Sequence, residues 1–181
     1  MEKDLFGNPL KKRKTRLETQ LSKYDRDTYN ARLQRLKYVE DIGPKNYSMA
    51  GSFEAIYLFH EAGLAFINGA FVATIMLTQA FIERRLQDTM EARGLGKEAR
   101  RGLAFILSYF RKNNLLDTFL LDKIDHLRKA RNPFSHLKPF DHPYAISQRM
   151  FLQSQQPEEI LEVDAKNALS LMYKLAMTNL E

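Results

Sequence analysis

An arginine and a histidine five positions apart, Arg131 and His136, are the residues of this chain best suited to chemistry. Histidine, with an unperturbed pKa of about 6.5, can take up or release a proton near neutral pH. The arginine guanidinium is always charged and can hold two phosphate oxygens, which stabilises negative charge that builds up in a transition state. Together the two groups suit the cleavage of RNA by its own 2′-hydroxyl, a reaction that needs no metal ion.

The apolar pattern of the preceding segment places Arg131 on the buried side of a helix. Apolar residues recur there at spacings of three and four, which is the helical period, at Leu116, Leu120, Ile124 and Leu127. The next position of this stripe is Arg131. A buried arginine is costly unless it is paired or faces a wet groove or a subunit interface. Its placement therefore favours a role in binding or at an interface.

Pro133 predicts a break between the arginine and the histidine. Proline disfavours helical geometry at the residue before it, so we expect the helix to stop at Asn132. Asn132 is also a good N-cap and Pro133 a good first-turn residue, so a new short helix can begin there. Such a break can bring Arg131 and His136 to one site. A plainer alternative is that Arg131 caps a helix C-terminus, where cations are favoured, and that His136 is incidental.

The rest of the chain shows helical periodicity without sustained alternation. We therefore predict an all-α fold, an antiparallel (up-and-down) bundle of about five to six helices with a basic N-terminal extension. The expected helices lie at about 25–39, 49–67, 70–92, 97–112, 115–130 and from Asp164 onward. The stripe expected to be buried on the second of them comprises Phe53, Ile56, Tyr57, His60, Leu64 and Ile67.

The domain organisation follows from these elements. Residues 1–24 are expected to form a basic, flexible N-terminal tail, and residues 25–181 a single helical domain with its core in 49–181. The segment 137–160 contains several prolines and has poor periodicity. It is too long for an ordinary helix connection, and such loops are often functional or mobile.

Composition narrows the class of protein. The chain of 181 residues has no cysteine, which excludes disulfides and cysteine-based zinc sites, and its four histidines show no metal-ligand spacing. We therefore expect no metal and no cofactor. No apolar run approaches the roughly 20 residues that span a bilayer, and no secretory signal is evident. The sequence thus predicts a soluble, cytoplasmic protein without a membrane segment.

Positive charge is concentrated at the N-terminus. The net charge is +6, and residues 1–16 hold six basic against two acidic residues. Lysine and arginine gain affinity for nucleic acid from counterion release, so this tail is a candidate RNA-binding segment, with a merely solvated tail as the alternative. Its candidate contact residues are Lys11, Lys12, Arg13, Lys14 and Arg16.

The motif and its setting resemble the HEPN family of nucleic-acid-processing domains. That family's motif is an arginine, often a polar residue, and a histidine after four to six intervening positions, which Arg131, Asn132 and His136 fit. The segment Tyr57–Ala62 and the helix carrying Phe81–Glu83 are similar to the family's first core helices. The resemblance covers about residues 49–181, with no counterpart for 1–48 or for 137–160.

The resemblance implies an activity and partners. His136 would exchange the proton, Arg131 would hold the scissile phosphate, Asn132 would orient one of them, and Glu83 would contact Arg131. It further implies a homodimer with the two motifs facing each other, an RNA substrate, a role in prokaryotic defence or as a toxin, and a possible antitoxin or nucleotidyltransferase partner. The alternative function is a non-catalytic helical dimer that binds RNA or a partner protein.

Overall fold

The computed structural model describes residues 15–45 and 51–180 of the chain. This part contains eight helices and no strand. The helices are α1 (Arg16–Ile42), α2 (Phe53–Ile67), α3 (Phe71–Ala92), α4 (Gly96–Ala99), α5 (Leu103–Lys112), α6 (Thr118–Ser135), α7 (Ile146–Gln153) and α8 (Pro157–Ala176). The prediction of an all-α bundle is confirmed, with more helices than the five or six expected. None of the helices in these ranges has the length and apolar character needed to cross a membrane.

The third helix is the centre of the bundle. It packs chiefly against α2 and α8 and also touches α4, α5 and α6. Only residues 68–70 separate α2 from α3, so the two helices must run antiparallel. Gly69 takes a positive φ of 77° in this turn, a conformation that strains other residues. The largest fully buried side chains of the core include Phe66, Phe81, Phe110, Ile82, Leu86, Ile106 and Ile124.

The second helix buries the face opposite to the one that its apolar stripe predicts. Phe53 is 80% exposed, and Tyr57, His60 and Leu64 are exposed as well. The buried residues are Ala55, Phe59, Ala62, Gly63 and Phe66. Both faces of this helix are apolar at helical spacing, so periodicity alone cannot choose between them. The small residues of the second face allow neighbouring helices to approach, and Phe59 packs edge-on against the Tyr173 ring at 5.2 Å.

The first helix begins nine residues earlier than predicted, within the expected flexible tail. Thr15 and Glu18 form a capping box, in which the Thr15 hydroxyl accepts from the Glu18 N–H over 3.2 Å. No residue of α1 is fully buried, and its attachment lies in its second half. There the Arg35 Nε donates to the Ile67 carbonyl over 3.0 Å, and Tyr38 packs partly against the core. Leu17, Leu21 and Tyr24 in the first half are exposed.

Other helix boundaries also differ from the prediction. The expected helix 97–112 is divided into α4 and α5 at Gly102, where φ is +85°. The irregular segment 137–160 contains α7, and α8 begins at Pro157 rather than at Asp164. Pro157 lies at the first position of α8, where its missing N–H costs nothing, and Gln156 and Glu159 form a capping box. Asp164 does not cap a helix but forms an ion pair with Arg149 of α7.

Candidate functional site

Arg131 lies on the buried side of α6, as its position in the apolar stripe predicts. The helix begins after Asp117, whose carboxylate accepts from the Leu120 N–H over 3.0 Å, and it buries Leu120, Ile124 and Leu127. The half-buried Arg131 guanidinium donates from Nε to the Gln79 side-chain oxygen of α3 over 3.0 Å. Gln79 is only 1% exposed. A buried glutamine therefore satisfies the arginine that interrupts the apolar stripe.

A second neutral group also contacts the guanidinium. Its Nη1 donates to the Ser135 hydroxyl one turn further along α6 over 3.2 Å, and that hydroxyl lies 3.8 Å from the Met76 sulfur of α3. Arginine has five N–H donors, so these two hydrogen bonds leave others free for a further acceptor. Within residues 15–45 and 51–180 no carboxylate forms an ion pair with Arg131. The guanidinium is thus positioned without being neutralised.

Two neighbouring cations on α6, Arg128 and Lys129, are ion-paired, in contrast to Arg131. Asp125 binds the Arg128 guanidinium at 2.8 Å and the Lys129 ammonium at 2.7 Å. Burial raises the pKa of Asp125, but the hydrogen bonds from Lys129 and Arg128 and their positive charges outweigh it, so the pKa lies below its usual value. Asp125 therefore stays ionised and offsets positive charge beside the motif. Arg131 keeps its own charge available for an anion.

The predicted helix break at Pro133 is wrong. The sixth helix continues through Pro133 to Ser135, and the His136 N–H closes its last turn on the Asn132 carbonyl at 2.9 Å. Asn132 is consequently a residue of the last turns and not the N-cap of a new helix. A proline removes one N–H donor and crowds the carbonyl four residues earlier, here that of Lys129. Only three positions of helix remain after Asn132, so the rest of the helix is little disturbed.

His136 lies at the end of α6, with an extended backbone (φ −140°, ψ 135°) and an exposed side chain. No hydrogen bond or ring contact joins it to Arg131 in the part of the chain that the structure describes. Positions five apart on a continuous helix differ by about 140° in direction. The described residues of one protomer therefore show no direct link between the two side chains.

The supporting residues differ from those expected. Glu83 was expected to contact Arg131, but Gln79, one turn earlier on α3, takes that position, while Glu83 is half-buried. The Asn132 side chain forms no hydrogen bond within the described ranges. Gln79 and Ser135 are the contacts that the sequence analysis missed. A polar residue amid the apolar residues of α3 is the signal that could have found Gln79.

The predicted basic contact residues fall mostly outside the described part. Outside it lie Lys11, Lys12, Arg13 and Lys14, whereas Arg16 is the exposed first residue of α1.

No group of three histidine or acidic side chains suited to a metal ion occurs within residues 15–45 and 51–180.

Exposed apolar side chains follow the exposed histidine in the sequence. Leu137 is completely exposed immediately after His136, and Phe140 is largely exposed three residues later. The loop that follows is attached to α6, because the Tyr144 hydroxyl lies 3.4 Å from the His126 Nδ1. Two exposed apolar side chains thus follow the motif on a loop that is attached to α6.

Comparison with known protein families, with curated proteins and with solved structures gives no match. The HEPN resemblance is therefore carried by the residues of this chain alone.

Proposed function

We propose that this protein is a metal-independent endoribonuclease of the HEPN type, acting through Arg131 and His136. The observation that carries the proposal is the Arg131 guanidinium, which Gln79 and Ser135 hold in place while no carboxylate of the described residues neutralises it. Phosphate is an anion that such a group binds strongly, because several charge-assisted hydrogen bonds can form at once. An exposed histidine at the end of the same helix supplies the group for proton transfer.

The proposed reaction uses the 2′-hydroxyl of the RNA as the nucleophile. Its oxygen attacks the adjacent phosphorus while His136 accepts its proton, and the bond from phosphorus to the 5′ oxygen breaks. The departing 5′ oxygen takes up a proton from water, His136 then releases its proton to solvent, and the products carry a 2′,3′-cyclic phosphate and a 5′-hydroxyl. Arg131 stabilises the charge that accumulates on the phosphate oxygens, which is the interaction worth most in the transition state.

A dimer is part of this proposal. Because no hydrogen bond joins Arg131 to His136 within the described residues of one chain, the proposal takes the histidine of a second copy to work beside the arginine of the first. The exposed Leu137 and Phe140, which follow His136 in the sequence, support this arrangement, since burying them would favour association. By the family resemblance, the setting is cytoplasmic prokaryotic defence or a toxin–antitoxin pair, with an antitoxin or a nucleotidyltransferase as a candidate partner.

The test is cleavage of mixed RNA by the purified full-length protein in the presence of EDTA. We expect cleavage by the wild type and its loss in Arg131→Ala and His136→Ala. Two matched controls keep activity: Arg128→Ala, which removes an ion-paired arginine of the same helix, and His142→Ala, which removes a histidine outside the motif. Cleavage that survives both motif substitutions would exclude the assignment.

A second candidate function is a non-catalytic dimer that binds RNA or a partner protein. The absence of any hydrogen bond between Arg131 and His136 within the described monomer favours it. Under this alternative, Arg131→Ala weakens RNA binding in a gel-shift assay while the wild type leaves RNA intact in EDTA. His136→Ala then has little effect on binding, because proton transfer plays no part.

A further inference from the structure

A cavity of about 330 Å³ opens between α6 and α8 above α3. Its floor is apolar and includes Ile75, Leu127 and Ala168, whereas its rim carries Lys123, Lys174 and Asn167. Arg131 is not among the residues that line it. Small-molecule sites commonly have this character, an apolar floor with a few polar groups converging at the rim, and volumes from about 300 Å³ upward. The size suits a molecule of one or two rings.

Two lysines and a phenylalanine define the rim. The Lys123 and Lys174 ammonium groups lie 5.2 and 5.8 Å from the centre of the Phe119 ring, one from α6 and one from α8. Neither ammonium forms an ion pair within residues 15–45 and 51–180, and Phe119 itself is 61% exposed. A cation–π contact at an exposed site contributes only about 0.5–1 kcal/mol, so both lysines can readily turn to an anion.

The acidic side chain that lines this cavity does not cancel their charge. Asp164 binds Arg149 through both carboxylate oxygens, one of them at 2.9 Å. That ion pair is mostly shielded from solvent and leaves Asp164 already neutralised. The rim is therefore positive, and the charge lies on flexible side chains that converge on one opening.

We infer that this cavity binds a small aromatic anion, a flat ring carrying a phosphate or carboxylate group. The ring would lie on the apolar floor beside Phe119, where aromatic stacking adds to the burial of apolar area. The anionic group would take hydrogen bonds from Lys123 and Lys174, and Asn167 would supply a further polar contact at the rim. This site goes beyond the proposed ribonuclease activity and does not depend on it.

The test is isothermal titration calorimetry of the full-length protein with probes that separate ring from charge. Adenosine monophosphate and indole-3-acetate carry both, adenosine and indole carry only the ring, and inorganic phosphate carries only the charge. We expect at least one of the two complete probes to bind about tenfold more tightly than its neutral counterpart, the difference that one charge-assisted contact produces. Tighter binding of adenosine monophosphate indicates a phosphate ligand, and tighter binding of indole-3-acetate indicates a carboxylate ligand.

Variants assign the binding to the cavity. We expect Lys123→Gln and Lys174→Gln each to weaken binding of the better probe about tenfold, while Lys112→Gln, on the exposed end of α5, leaves it unchanged. Asn167→Asp keeps both lysines but adds a negative charge at the rim, so it weakens binding too. Equal affinity for charged and neutral probes, or unchanged binding in all three cavity variants, would overturn the inference, as would the absence of binding by every probe.

Discussion

The Arg131 Nε donates a hydrogen bond of 3.0 Å to the side-chain oxygen of Gln79, which is buried on the central helix α3. The acceptor is uncharged, so the bond fixes the direction of the guanidinium without neutralising it. A carboxylate in the same position would bind the arginine more strongly but would compete with phosphate. The glutamine therefore meets two requirements, since it supplies the half-buried arginine with a hydrogen-bond acceptor and leaves its positive charge available to a ligand.

Replacing Gln79 with leucine tests the positioning role. Gln79→Leu keeps the volume but leaves the half-buried Arg131 without its acceptor, so we expect the free energy of unfolding to fall by about 1–3 kcal/mol. RNA cleavage or binding should fall as well, because the guanidinium loses its fixed direction. Gln87→Leu is the matched control, since Gln87 on the same helix donates to the Ala99 carbonyl and does not contact Arg131. Urea denaturation and the EDTA cleavage assay measure the two effects.

Gln79→Glu separates positioning from charge. The added carboxylate can pair with Arg131 and hold it in place, but it neutralises the guanidinium. We expect the protein to remain folded while its affinity for RNA falls at least about tenfold, the effect of losing one charge-assisted contact. An RNA affinity equal to that of the wild type would contradict the view that Arg131 binds phosphate.

Mixing two inactive variants tests whether the site is shared between copies. If Arg131 of one chain works with His136 of the other, a mixed dimer of Arg131→Ala and His136→Ala contains one intact site. Random exchange of subunits in a symmetric dimer should then restore about one quarter of the wild-type cleavage rate. Each variant alone is the control and should stay inactive. No recovery, with subunit exchange verified by native mass spectrometry, would place both groups in one chain.

Pro133 offers a stability test on α6. Because the helix continues through this residue, Pro133→Ala restores a hydrogen bond to the Lys129 carbonyl and relieves crowding. We expect the free energy of unfolding to rise by about 1–2 kcal/mol, less than the roughly 3 kcal/mol of a helix interior, since the position lies near the helix end. Urea denaturation provides the measurement. A decrease would indicate that the proline stabilises the chain after α6.

The ion pairs of Asp125 predict a pH dependence. Its pKa in the folded protein lies below the ordinary 3.8, so its contribution to stability is present above that pH and is lost as the pH falls through the folded value. At neutral pH we expect Asp125→Asn to be less stable by up to about 1 kcal/mol, as for partly exposed pairs. The two proteins should converge below the lowered pKa, as followed by urea denaturation at several pH values. A difference that persists there would contradict the assignment.

Much of the fold could be predicted from the sequence, because long helices carry their own period. The predicted helix 70–92 agrees with α3 to within a residue at its start and ends at the same residue. The orientation of α2 could not be predicted, because apolar residues cover both of its faces. Which face of α2 is buried depends on how Ala55, Ala62 and Gly63 fit against neighbouring helices. A single sequence does not contain that information.

The candidate site was predicted in part. The position of Arg131 on the buried side of α6 followed from the stripe before it, and the structure agrees. Its partner on α3 could not be predicted, because Gln79 and Glu83 lie one turn apart and the sequence does not fix the relative height of two helices. The prediction of a helix break at Pro133 was wrong for another reason. A proline near a helix end removes a single hydrogen bond, and the packing of the preceding turns can outweigh that loss of stability.

The continuity of α6 also has a mechanical consequence. Lys123 at the cavity and Arg131 at the motif lie on one unbroken helix, about 12 Å apart along its axis. With no hinge between them, a displacement of the helix at one end is carried to the other instead of being absorbed. If RNA binds at Arg131 as proposed, a ligand whose binding shifts α6 would change that affinity, and by thermodynamic reciprocity RNA would change the affinity for that ligand by the same factor. Under the two proposals made above, one helix would thus couple the proposed RNA binding to the proposed binding of a small aromatic anion.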